Sequence, residues 1–77
     1  MTQRPVTIDT DSIRLGQLLK LAGLAASGAD ARRLLEAGSV RVNGRPEVRR
    51  GRQLRPGDMV AVGPDAVRVA RRKVVSG

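Results

Sequence analysis

The residues of this chain best suited to chemistry are arginines gathered between positions 41 and 55. This segment holds a single acidic residue, Glu47, against six arginines: Arg41, Arg45, Arg49, Arg50, Arg52 and Arg55. A guanidinium presents a planar fork of donors that matches a phosphate. Like charges packed this closely repel one another unless a partner supplies negative charge, whereas an ordinary solvated face intersperses acidic residues. The segment therefore predicts a surface that binds a polyanion.

The charge of the whole chain points the same way. Its 77 residues include 15 basic and seven acidic ones, giving a net charge of +8 and an isoelectric point near 11.8. Such a balance is typical of proteins that bind nucleic acid. The competing interpretation is that an arginine-rich surface only keeps the protein in solution.

Catalysis is not expected, because the chain lacks the usual groups. It has no cysteine and no histidine, and its serines therefore have no histidine partner. The carboxylates are scattered over predicted caps and turns, at Asp9, Asp11, Asp30, Glu36, Glu47, Asp58 and Asp65. We therefore expect no enzymatic activity, no metal, no cofactor and no small-molecule substrate.

The absence of Phe, Tyr and Trp narrows the kind of nucleic acid. Binders of single strands stack bases on aromatic side chains, and this chain cannot do so. Recognition of shape and phosphate spacing on folded RNA remains the best-supported hypothesis. Two alternatives stay open: an interaction module for an acidic protein partner, and a helix-turn-helix DNA binder. Against the latter, the second predicted helix exposes Arg32, Arg33 and Glu36 but no Asn or Gln to read base edges.

Two short helices are predicted in the first half of the chain. Leu15, Leu18, Leu19 and Ala22 recur at helical spacing and are followed by Gly23, while the polar residues 9–12 could cap this helix. Ser27 and Asp30 have the spacing of a capping box for a second helix. That helix would bury Ala31, Leu34 and Leu35 and end at Gly38.

Short strands are predicted around these helices. Residues 6–8, 40–42, 59–62 and 67–69 alternate or are rich in β-branched side chains. Asn43–Gly44 is a strong hairpin signal, and Pro46 restricts its segment to a sheet edge or a bulge. The order of elements predicts an α+β fold, with a helix-loop-helix packed on a small, mainly antiparallel sheet of three to five strands. We expect one domain over residues 1–77, with 70–77 a flexible basic tail.

No membrane span or secretory segment is visible in the sequence, so we expect a cytoplasmic protein, and a monomer.

One stretch of this sequence resembles a known family. The positions that carry the resemblance are Ser27, Ala31, Arg32, Leu34, Leu35, Gly38, Val40, Val42, Asn43 and Gly44. Together they are similar to the signature of the S-four-type RNA-binding domain, also called the α-L motif. The flanking segments 15–23 and 49–58 are similar to the small stand-alone, YaaA/YbcJ-like members. The resemblance implies a helix-loop-helix on a small sheet, and a partner that is structured RNA, either ribosomal RNA or part of a ribosome assembly intermediate.

The resemblance also implies an RNA-binding face. Carried over position by position, this face comprises Gln17, Lys20, Ser27, Arg32, Arg33, Arg41, Asn43, Arg49, Arg50 and Arg52. Many family members have an aspartate where this chain has Gly16 and an arginine where it has Gly28. Glycines at both positions are typical of the stand-alone members.

Overall fold

The fold alternates short strands with one pair of helices, as a computed structural model describes it for residues 3–72. In chain order its elements are β1 (Gln3–Ile8), β2 (Ile13–Arg14), α1 (Leu15–Leu21), α2 (Gly28–Glu36), β3 (Val40–Val42), β4 (Arg45–Pro46), β5 (Gln53–Leu54), β6 (Met59–Val62) and β7 (Asp65–Arg71).

Five of these strands form the main sheet, in the order β1-β7-β6-β3-β4. Every neighbouring pair is antiparallel except β1 and β7, which run parallel. The predicted α+β class and mainly antiparallel sheet are thus confirmed. A separate two-stranded ladder of β2 and β5 was not expected. Both outer strands of the main sheet contain a proline, Pro5 in β1 and Pro46 in β4, and the edge position predicted for Pro46 is confirmed.

A single aliphatic core lies between the helices and one face of the main sheet. Leu15, Leu18 and Leu19 of α1 are fully buried against it, as the helical spacing predicted. In β3 the valines Val40 and Val42 are buried while Arg41 between them is exposed. The alternation confirms that this strand turns its valines to the core and its arginine outward.

Helix α2 begins as its sequence predicted, with one difference. The Ser27 hydroxyl accepts a hydrogen bond from the Asp30 amide at 3.1 Å. The Asp30 carboxylate accepts from the amide of Ala26 at 2.9 Å, one residue before the cap. The exposed face also holds an ion pair, in which Arg32 Nε donates to Glu36 Oε1 at 2.9 Å.

The start of α1 differs from the expectation. Residues 9–12 do not cap this helix, because β2 intervenes and Arg14 occupies the cap position without a side-chain hydrogen bond. The free amides of the first turn instead donate to a distant loop: Leu15 to the Arg52 carbonyl at 2.8 Å, and Gly16 to the Arg50 carbonyl at 3.0 Å. These bonds satisfy donors that every helix start leaves open.

The last strand extends further than the sequence suggested. Ala70 and Arg71 pair with Thr7 and Ile8 of β1, so a flexible tail does not begin at residue 70. The strand continues here because β1 pairs with the backbone of these residues. Arg72 and Arg71 also make ion pairs with Asp9 and Asp11. The rest of the predicted tail, residues 73–77, lies outside the described residues.

Over the described residues, no helix is both long enough and apolar enough to cross a membrane.

Candidate nucleic-acid interface

A buried glutamate organises the arginine-rich segment. Glu47 follows the β3–β4 hairpin, and its amide donates to the Val40 carbonyl at 3.0 Å. Only 7% of the surface of Glu47 is exposed to solvent. Its carboxylate accepts hydrogen bonds from the amides of Val48 and Arg49 at 3.0 and 3.2 Å. It also accepts from the guanidinium of Arg49 at 3.1 Å and from that of Arg52 at 3.0 Å.

These contacts set the charge state of the carboxylate. The hydrogen bonds from the Arg49 and Arg52 side chains, with those from the backbone, lower the pKa of Glu47 to about 2. The carboxylate is therefore ionised at neutral pH and serves as an internal counter-charge for two arginines. Arg49 still has 73% of its side chain exposed, and Arg52 has 35%. Both side chains are thus held in place by one carboxylate while they keep donors open to solvent.

Arg50 is positioned by a different contact, with the first turn of α1. Its carbonyl accepts the Gly16 amide, and its side-chain stem lies over the Gly16 α-carbon. A β-carbon at position 16 would lie 2.5 Å from Arg50 Cγ, closer than real contacts allow. Gly16 therefore makes room for the stem of Arg50.

Two clefts open beside Arg50. The first, the helix cleft, has a volume of about 280 Å³ and is lined by Arg14, Gly16, Gln17, Lys20, Gly28, Ala31, Arg50 and Gly51. The second, the loop cleft, has a volume of about 210 Å³ and is lined by Arg32, Leu35, Glu36, Val48 and Arg50. Arg50 lines both clefts, so it joins them into one surface.

The helix cleft is suited to an anion. Three cationic side chains line it, from Arg14, Lys20 and Arg50, and none of the described residues around it is acidic. In the loop cleft Arg32 already pairs with Glu36, and the exposed Val48 side chain adds an apolar surface beside Arg50. Arg14 was not among the predicted site residues. Its position directly before the predicted first helix was the available signal, and the β2–β5 ladder is what brings it beside the arginine-rich segment.

The predicted site residues do not all lie on this surface. Gln17, Lys20, Arg32 and Arg50 line the two clefts. Arg49 and Arg52 belong to the same loop and are tied to Glu47. Ser27 is exposed beside Gly28, with its hydroxyl engaged as the α2 cap. Helical geometry places Arg33 on the side of α2 away from Ala31 and the core.

Arg41 and Asn43 were predicted for the same face, but the structure places them elsewhere. Arg41 points away from the helices, on the other face of the main sheet, and lines a depression with Ser39 and Ala61. The Asn43 side chain joins two strands, because it donates to Asp58 at 3.1 Å and accepts from the Met59 amide at 2.9 Å. Asn43 also has a positive φ of 52° in the hairpin turn, which explains the residue type without a ligand.

Acidic groups do not form a metal site in the part of the chain that the structure describes, where no three come close enough to hold an ion.

Comparison with known proteins identifies a family for this fold and surface. The profile of the family described as S4 domain matches residues 6–70. The probable ribosome maturation protein RlbA of Bacillus subtilis is 48% identical over 58 residues, which cover 75% of this chain and 82% of that protein. The small ribosomal subunit protein uS4m of Schizosaccharomyces pombe is 46% identical over 54 residues, or 70% of this chain. Tyrosine–tRNA ligase 2 of Pseudoalteromonas translucida is 44% identical over 43 residues, or 56% of this chain. The matched segments make up only 16% and 11% of these two larger proteins.

The role of Glu47 predicts a dependence of stability on pH. Its folded-state pKa of about 2 lies below the ordinary 4.5, so its stabilising contacts are complete above pH 4.5 and are lost as the pH falls toward 2. We expect Glu47→Gln to lower the free energy of unfolding by about 1–3 kcal/mol at pH 7. The difference from the unmutated protein should shrink below pH 4.5, as measured by urea unfolding followed by circular dichroism.

The matched control is Glu36→Gln, which removes an exposed carboxylate that pairs with Arg32. It should change stability by less than about 0.5 kcal/mol. Equal pH curves for the two variants would show that Glu47 does not organise the loop.

The contact between Gly16 and Arg50 gives a second prediction. Gly16→Ala should displace the Arg50 stem and weaken the binding of a labelled RNA hairpin about fivefold, which corresponds to about 1 kcal/mol. Gly51→Ala adds the same methyl group in the same cleft, where it would meet no atom within 4 Å, and should bind normally. If Gly16→Ala also binds normally, while thermal unfolding shows both variants folded, the position of Arg50 over Gly16 is not needed for binding.

Proposed function

This chain belongs to the S4 domain family, and on that basis we propose that it is a non-catalytic protein that binds structured RNA. The proposed target is ribosomal RNA, or an intermediate of ribosome assembly. The observation that carries the proposal is the helix cleft, where Arg14, Lys20 and Arg50 line one concave surface and none of the described lining residues is acidic.

The relatives support the choice of a ribosomal target. RlbA is named as a probable ribosome maturation protein, and this chain covers 82% of it. The uS4m protein is named as part of the small ribosomal subunit. The shared region of the tyrosine–tRNA ligase is a small part of that enzyme, so its activity is not transferred to this chain.

The proposed mechanism is the reading of phosphate positions by side chains that are fixed before binding. Glu47 holds the Arg49 and Arg52 side chains, and Gly16 places the Arg50 stem. Side chains that are already ordered lose less entropy on binding, so more of their interaction energy appears as affinity. A flexible arginine cluster would bind any polyanion, whereas a fixed one favours the phosphate spacing of a folded RNA.

The two clefts and the loop beside them together present six cationic side chains: Arg14, Lys20, Arg32, Arg49, Arg50 and Arg52. Val48 adds an apolar contact for a ribose or base edge without an aromatic ring. We further propose that the protein acts as a monomer in the cytoplasm, as one domain, without a cofactor or a small-molecule substrate.

The function is tested by fluorescence anisotropy with labelled nucleic acids, because the protein contains no Tyr or Trp. The panel is a folded ribosomal RNA fragment, an unstructured RNA strand and a DNA duplex, each over a range of salt. We expect the folded RNA to bind most tightly. If about six phosphates are neutralised, the slope of log K against log salt should be about −4 to −5. Equal binding to all three, lost near physiological salt, would contradict recognition of shape, and preference for the DNA duplex would favour the helix-turn-helix alternative.

Arg50 is the residue on which this interface should depend most, because it lines both clefts. Arg50→Glu should weaken binding of the folded RNA at least tenfold and leave thermal unfolding nearly unchanged. The matched control is Arg33→Glu, which makes the same charge change on the outer side of α2 and should have a clearly smaller effect. Equal losses for the two variants would mean that only net charge matters, and a change in stability alone would make Arg50 a structural residue.

A further inference from the structure

The main sheet has a second face that the helices do not cover. Buried valines fill the helix side of the central strands, including Val40, Val60 and Val67. The residues that alternate with them point to the other side. Arg41 is directly opposite Ala61 in the neighbouring strand, and Ala61 is opposite Ala66 in the next. Two residues further along β7, Arg68 is opposite Met59. We call this side the open sheet face.

The open sheet face carries positive charge without compensation. Arg41 and Arg68 are both exposed. Neither makes an ion pair or a side-chain hydrogen bond with any other residue of the described chain. This differs from the loop, where Glu47 neutralises part of the arginine charge.

The chemistry of this face favours a phosphate backbone over a protein partner. Protein–protein interfaces are centred on large apolar or aromatic anchors. Here the side chains between the arginines are those of Ala61 and Ala66, with Met59 half-buried beside Arg68. Because these side chains are small, the sheet surface between the two guanidinium groups is flat. An extended polyanion can approach such a surface closely.

The spacing of the two arginines fits contacts with separate phosphates. Arg41 and Arg68 lie two strands apart and are offset by two residues along the strands. Strand spacing and rise place their α-carbons about 12 Å apart. Each guanidinium can therefore bind its own phosphate on one RNA segment. A depression of about 520 Å³ beside Arg41, lined also by Gly38, Ser39 and Gly63, adds room for the strand.

We infer that the open sheet face is a second RNA-binding surface, so that one molecule holds two RNA segments on different sides of its sheet. The inference rests on the proposed function, since it assumes that RNA occupies the helix cleft. It also assigns a role to Arg41, which lies outside the surface around Arg50.

The test is a bridging experiment with the full chain and two non-complementary ribosomal RNA hairpins, one labelled with a donor dye and one with an acceptor. We expect energy transfer that appears with protein, peaks near one protein for two hairpins and falls in excess protein. The double variant R41Q/R68Q should lose this transfer while its binding to a single hairpin stays within about twofold.

The controls separate the two proposals. The charge-preserving variant R41K/R68K should keep most of the transfer, and circular dichroism should show both double variants folded. If the unmutated protein binds single hairpins but gives no transfer, or if R41Q/R68Q still gives it, the second surface is overturned and the proposed function stands. If the protein binds no hairpin at all, the proposed function itself fails. A labelled polyglutamate peptide serves as a third ligand. If R41Q/R68Q no longer binds this peptide but still brings the two RNA hairpins together, the open sheet face suits an acidic protein and the inference is overturned.

Discussion

The interface depends on two backbone hydrogen bonds that join the start of α1 to the loop after the hairpin. A helix start leaves several amides without partners, and side chains or water usually satisfy them. Here the amides of Leu15 and Gly16 donate to the carbonyls of Arg52 and Arg50, which lie 37 and 34 residues away in sequence. The loop is thereby fixed to the helix pair, and Arg50 of the loop lines the same cleft as Arg14 and Lys20. Together with the adjacent β2–β5 ladder, these bonds give the two groups of basic residues a fixed relation.

The second constraint is electrostatic, and it lies in Glu47. Arginine side chains held close together repel one another, so ordering them is unfavourable unless an acidic group offsets the repulsion. One buried carboxylate does this for Arg49 and Arg52, and the same carboxylate binds two loop amides. Charge compensation and backbone conformation are thus set by one side chain. Arg50, between the two tethered arginines, has no carboxylate partner among the described residues, so its charge is available to a binding partner.

Much of the fold could be predicted from the sequence, because helix spacing, caps, turns and strand alternation depend on residues that are close together in the chain. The leucine spacing of α1, the Ser27 cap of α2, the Asn43–Gly44 turn and the alternation in β3 were all confirmed. What the sequence did not predict depends on contacts distant in the chain. The parallel pairing of β1 with β7 extends a strand where a tail was expected. The burial of Glu47 depends on the path of its loop, and charge counting treats every carboxylate as solvated. The separation of Arg41 from Arg50 depends on which side of a sheet receives the helices.

The prolines at both margins of the main sheet have a consequence for behaviour on RNA. On an RNA that bound several copies, the copies would be crowded together, and the phosphates would cancel the positive charge that otherwise keeps the copies apart. Repulsion then no longer prevents one sheet from adding to the next. Pro5 and Pro46 offer no amide to an incoming strand, and this property is independent of salt and of bound RNA. Resistance to edge-to-edge pairing of sheets is thus a property of the backbone, and it persists when the charge has been neutralised.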